Sequence, residues 1–190
     1  MVITMALLSL AFSLIALAIR VWPHFVEGVT TDVSHPEDRR FWRFVIRDRD
    51  SDAPYLTRWS WKLPFSNWIA RLHIIERPDS TPCCHDHPWE FWTLCVWGGY
   101  TEIIEEPVVL PDGVMQKRWL HRVRPLTLHH RDSHFRHTIM ELHASRSVTL
   151  VLTGPKDYSK SWGFWTKWGF KPYWEFLRHG KPVRALWCRD

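Results

Sequence analysis

Cys83-Cys84-His85-Asp86-His87-Pro88-Trp89 runs into Glu90-Phe91-Trp92-Thr93-Leu94-Cys95-Val96 and then Trp97-Gly98-Gly99. Two histidines two residues apart, on a stretch that reads as β-structure, send their imidazoles to one side of the backbone. Paired neutral nitrogen donors suit a transition-metal ion. A third imidazole from elsewhere would complete a site, and His129, His130, His134 and His137 all compete for that place. A lone histidine reads as an ordinary polar strand residue. The pair with a distant cluster reads as a metal site.

Working outward, residues 55–63 alternate apolar and polar side chains, as a half-buried strand does. Residues 41–46 read as a short strand or helix, and further short strands are expected at 67–76, 90–96, 100–105, 116–123, 126–130, 137–142 and 147–153. Gly98-Gly99, Leu110-Pro111-Asp112-Gly113 and Gly154-Pro155 punctuate them. Aromatic segments at 162–165 and 171–176 close the chain. Many short strands with little helical periodicity after residue 40 predict an all-β barrel or sandwich.

A chain of 190 residues is long enough for one domain with its own core. An apolar fraction of 45% and a charged fraction of 24% are those of a globular protein. The formal charge of +5 is scattered and interleaved with acids, as in Arg47-Asp48-Arg49-Asp50, so no specific nucleic-acid partner is expected. Cys83, Cys84, Cys95 and Cys188 form no CxxC spacing, which reads as a reduced chain without a zinc knuckle. Cys83 or Cys84 is a possible extra ligand.

Residues 2–19 carry no charge, and Arg20, Trp22 and His24 follow. Eighteen uncharged, mostly apolar residues reach the lower end of a membrane span. A cleaved signal, through Ala16-Leu17-Ala18, and a buried helix are the rival readings. The expected organisation is an apolar helix over 1–22, a possible membrane anchor, then a linker over 23–40 and a barrel over 41–190. Arg20, Arg39, Arg40 and Arg43 favour a cytoplasmic barrel, membrane-associated or free.

His85-x-His87, a hydrophobic strand, a Gly-Gly turn and a later His-bearing strand resemble the two motifs of the cupin superfamily. Tyr55-Leu56-x-Arg58-Trp59, His85-Asp86-His87-Pro88-Trp89, Gly98-Gly99-Tyr100-Thr101-Glu102, Thr149-Leu150-x-x-Thr153-Gly154-Pro155 and Trp162-Gly163-Phe164 are similar to a group of uncharacterised bacterial and phage cupin-like proteins. The resemblance covers residues 55–176. It implies a double-stranded β-helix, or jelly-roll, with a metal in its mouth. The usual motif carries a glutamate where this chain has Phe91 and Trp92. Glu90 sits one residue early, turned away by strand parity unless Pro88 bends the chain. An all-histidine site is therefore expected, with Glu90 as a lesser alternative.

His137 opens a β-like run where the second-motif histidine is expected, and His134 is the alternative. Asp86 and Asp132 are candidates to accept the far N–H of a ligating imidazole. His73 and Tyr100 are weaker candidates to line the pocket, and Arg58 and Arg71 to hold a substrate carboxylate. No catalytic residue is assigned. Three imidazoles leave positions open on a divalent metal, with Fe(II) first and Zn(II) or Mn(II) as alternatives. The expected function is a non-haem Fe(II) oxygenase using O2 on a small-molecule substrate. The rivals are a Zn- or Mn-dependent isomerase or hydrolase, and a non-catalytic, membrane-tethered metal- or ligand-binding cupin. A metal-free, epimerase-like site built on His85 and Asp132 is a weaker rival, and a homodimer is possible.

Overall fold

The computed structural model describes residues 27–28, 40–48, 51–110, 113–179 and 186–188. The expected helix over 1–22 and most of the expected linker lie outside these residues. Within that linker, β1 (Glu27–Gly28) pairs parallel with β2 (Phe41–Arg47). Among the described residues, no helix is long and apolar enough to cross a membrane.

The remaining strands are β3 (Pro54–Lys62), β4 (Ile69–Ile75), β5 (Cys84–His85), β6 (Phe91–Trp97), β7 (Tyr100–Leu110) and β8 (Gly113–Val123). They continue as β9 (Leu128–Arg131), β10 (Arg136–Leu142), β11 (Ser147–Thr153), β12 (Gly163–Thr166) and β13 (Gly169–Pro172). One short helix, α1 (Tyr173–Phe176), follows. It forms the end of the aromatic segment 171–176.

Seven strands form a sheet in the order β1-β2-β3-β4-β11-β6-β9, and six form another in the order β13-β12-β5-β10-β7-β8. Within them, β4 to β11 alternate as β4-β11-β6-β9 against β5-β10-β7-β8. That interleaving of two four-stranded layers is a jelly roll. β11 shows why alternation matters: Ser147, Thr149, Val151 and Thr153 are buried while the residues between them are half-buried.

Gly98-Gly99 does not close a hairpin between β6 and β7. β6 pairs with β11 and β9, whereas β7 pairs with β10 and β8. The two glycines, at φ 83° and 80°, carry the chain from one sheet to the other. One closed end of the barrel is apolar, with Leu56, Ile75, Cys95, Tyr100, Val123 and Ile139 packed together. A second cluster joins Cys83, Phe164, Phe176 and Cys188. Cys83 and Cys188 form a disulfide, so the reduced-chain expectation is overturned for this pair. It also removes Cys83 as a ligand. Cys84 and Cys95 are free and buried, and burial pushes the Cys84 thiol up to about 12.

Candidate metal centre

The site begins where β5 ends. The strand holds only Cys84 and His85, so His87 lies beyond it, in irregular backbone. The imidazoles of His85 and His87 nonetheless converge, their ring centroids 5.1 Å apart. Asp86 holds the bend. Its Oδ1 accepts from the Gly163 backbone N–H at 3.0 Å and its Oδ2 from Trp165 Nε1 at 3.3 Å. Lys160 Nζ lies 3.3 Å from the same carboxylate. Pro88 then turns the chain into β6, and both it and Asp86 are fully buried.

β10 supplies the third imidazole. His137 is in register opposite His85 across the β5–β10 ladder, which puts both on the inner face. Its ring centroid lies 4.9 Å from that of His85, and its Nε2 is 3.1 Å from His87 Nε2. One ring nitrogen from each of His85, His87 and His137 lies within 4.8 Å of the others. Burial holds His85 down at about 4, opposed in part by Asp79 and helped by His137. Burial and the two neighbouring histidines push His87 the same way, well below the ordinary imidazole range. Both rings are therefore neutral near pH 7, the state a metal requires of its imidazole ligands.

Glu102, on β7, orients the third ring. Its Oε2 accepts from His137 Nδ1 at 2.7 Å, which leaves Nε2 as the free lone pair facing His87. Its Oε1 pairs with Arg131 and accepts from His121 Nδ1 at 2.9 Å. Burial alone would raise this carboxyl. The hydrogen bonds from His121 and His137 and the charge of Arg131 hold it well below the carboxylate range. Glu102 was not singled out from the sequence. The signal was present as an acid within the otherwise β-prone run Tyr100-Thr101-Glu102-Ile103-Ile104.

The other candidates fall elsewhere. Asp86 braces β12, and Asp132 is exposed and caps its own turn through the His134 N–H at 2.7 Å. Neither accepts from a triad imidazole: the Asp86 carboxylate is taken up by Gly163, Trp165 and Lys160, and that of Asp132 by the nearby His134 N–H. Glu90 is exposed and pairs with His130 at 3.2 Å, as strand parity dictates. His134 is exposed. His129 hydrogen-bonds Thr127, and its ring lies 5.2 Å from that of His121. Tyr100 packs into the closed apolar end. His73 accepts from Arg58 Nε at 3.0 Å on the opposite sheet. Asp79 lies 4.0 Å from His85 Nδ1 and is anchored by Tyr55 and by the Ile139 N–H at 2.6 Å.

Aromatic rings wall the histidines. Phe91 stands edge-on to His87 at 5.0 Å, Phe135 lies 5.2 Å from His137 and Phe164 lies 5.8 Å from His85. A jelly roll with three converging histidines on its inner face, two at the end of one strand and one opposite, is the cupin arrangement.

The chain has the cupin fold. No protein-family model matches it, and no curated protein matches it either. Among solved structures, a cupin-2 domain from Rhodospirillum rubrum is similar at 11% identity and TM-score 0.48, over 85% of this chain and 95% of that one. Oxalate decarboxylase from Bacillus subtilis is similar at 13% identity and TM-score 0.44, over 84% of this chain and 37% of that one. FeII HppE is similar at 9% identity and TM-score 0.40, over 66% of this chain and 62% of that one. The chain thus spans less than two thirds of the last two proteins.

Proposed function

We propose that this cupin is a metal-dependent enzyme acting on a small molecule, with His85, His87 and His137 as the ligands and Fe(II) as the leading metal. The observation that carries the reading is the convergence of three imidazoles within 4.8 Å, one of them fixed by a buried carboxylate. Bound there, Fe(II) supplies redox chemistry with O2, whereas Zn(II) or Mn(II) supplies Lewis acidity. The chain's own residues do the rest. Glu102 fixes the His137 tautomer and balances the Arg131 charge. Phe91, Phe135 and Phe164 narrow the space around the rings.

Elemental analysis of protein expressed in metal-replete medium tests this directly. About one first-row metal per chain is expected. His87→Ala is expected to lose it while the circular-dichroism spectrum stays that of the folded barrel. Metal-free wild-type protein would overturn the reading. Oxygen uptake by iron-loaded protein offered thiol or carboxylic-acid substrates then separates an oxygenase from Lewis-acid chemistry.

A further inference from the structure

The sheet facing the triad carries two arginines, Arg71 buried and Arg58 half-buried. On β3 and β4, Arg58 is in register with His73 and Ser60 with Arg71. Arg71 also faces Val151 across the β4–β11 ladder, and Val151 is buried on the inner face of β11. Only 3% of Arg71 is exposed. Its Nε donates to Thr153 Oγ1 at 3.3 Å, and its guanidinium carbon lies 4.9 Å from the centre of the Trp89 ring. Both terminal nitrogens, Nη1 and Nη2, are buried without a hydrogen-bond partner, and so is the Ser60 hydroxyl.

Among the described residues, no carboxylate pairs with Arg58 or Arg71. The acids nearest this interior are engaged. Asp79 is held by Tyr55, Thr138 and Ile139, Glu76 accepts from Thr57, and Glu102 serves His121, Arg131 and His137. A guanidinium keeps its proton even when buried, so out of water it needs an acceptor for its planar fork of N–H groups. Burial and the nearby Arg58 charge both press on Arg71. The protein supplies a donor set of matching shape, two Nη groups and a hydroxyl, and no acceptor.

The place is next to the histidines. Trp89, which Arg71 overlies, is stacked within 18° of the His87 ring at a centroid distance of 6.4 Å. Arg58 and Arg131 both act electrostatically on His87. We propose that Arg71, with Ser60 across the strand pair and Arg58 beside it, forms an oxyanion subsite that holds the anionic group of the substrate next to the three-histidine centre. Calling the occupant a substrate group rests on the metal-enzyme reading; the anion site itself does not.

The test uses the full chain, metal-stripped and metal-loaded, with acetate, oxalate, inorganic phosphate and methylphosphonate as probes at constant ionic strength in potassium chloride. In the metal-stripped protein at least one probe is expected to raise the melting temperature saturably beyond chloride, and calorimetric titration gives its affinity. A preference for acetate and oxalate identifies a carboxylate substrate, and a preference for the other two a phospho-group. Arg71→Gln is expected to weaken that affinity at least about tenfold, since charge-assisted bonds are lost. Arg71→Lys should recover only part of it, because an ammonium lacks the fork. Ser60→Ala should weaken it by about threefold or more.

Wild-type protein that no probe stabilises beyond chloride overturns the proposal, and so does unchanged affinity in Arg71→Gln. Should Arg71→Gln fail to fold, Arg71→Lys and Ser60→Ala carry the decision, and unchanged affinity in both overturns it. His87→Ala separates the two readings: anion binding that persists without metal upholds the subsite whatever becomes of the metal.

Discussion

Glu102 is the residue on which the centre turns. It is fully buried and shared by two histidines and an arginine. Glu102→Gln replaces a carboxylate with an amide, removes the charge opposite Arg131 and frees His137 to change tautomer. Metal affinity, measured by competition with a chromophoric chelator, is expected to fall about 10–100-fold. The protonation of the ligands also gives a pH dependence with a definite sign. His85 stands at about 4 when folded against 6.5 for a free imidazole, so the unfolded chain binds more protons between those values. Metal-free protein is therefore expected to hold this contribution above about pH 6.5 and to lose it progressively as pH falls toward about 4. The loss is on the order of 3 kcal/mol from this residue. Thermal melts at stepped pH should show the slope, and His85→Gln should flatten it. A flat wild-type profile over that window would contradict the burial argument.

At the scale of elements, β5 and β12 hold the site in place. His85 pairs with Phe164, and the Asp86 carboxylate bonds the Gly163 N–H one residue earlier on β12. Asp86→Ala leaves that N–H, the Trp165 N–H and the Lys160 ammonium without their shared acceptor. A stability loss of about 2–4 kcal/mol in urea denaturation is expected, together with weaker metal binding as His85 and His87 drift apart. Gly163 matters for a different reason: a Cβ there would press on the Lys171 carbonyl oxygen of β13. Gly163→Ala is expected to separate β12 from β13 and to lower the melting temperature. Gly169, where a Cβ would meet nothing but whose φ is 106°, gives a comparison governed by backbone strain alone.

For the molecule as a whole, the Cys83–Cys188 disulfide ties the segment before β5 to the last described residues of the chain. It encloses residues 105 apart in sequence, so it strongly restricts the unfolded chain. Reduction, or Cys188→Ser, is expected to cost about 2–4 kcal/mol. Differential scanning calorimetry with and without reductant reads this directly. The barrel should survive, because the apolar end around Leu56, Tyr100 and Ile139 does not depend on the link. Metal content after reduction reports whether the tie also holds β5 in place.

Strand alternation was readable residue by residue, since a side chain's face depends only on its position along its own strand. Ser147–Thr153 occupies the expected bounds, and the resemblance at His85-x-His87 pointed to a jelly roll and to His137 as partner. Boundaries shifted by a residue or two at β3, β4, β6 and β9, and more at β7 and β8, whose ladder keeps pairing out to Leu110 and Gly113, beyond the expected 100–105 and 116–123. Other features were hidden because they join segments far apart in the chain. Glu102 reaches His137 across 35 residues and Arg71 reaches Thr153 across 82. Cys83 reaches Cys188 across 105. Local sequence determined the pleat, the turns and which residues carry donor nitrogen. Tertiary packing alone decided which carboxylate braces an imidazole and which buried guanidinium is left without one, because both depend on distances that only the closed barrel sets.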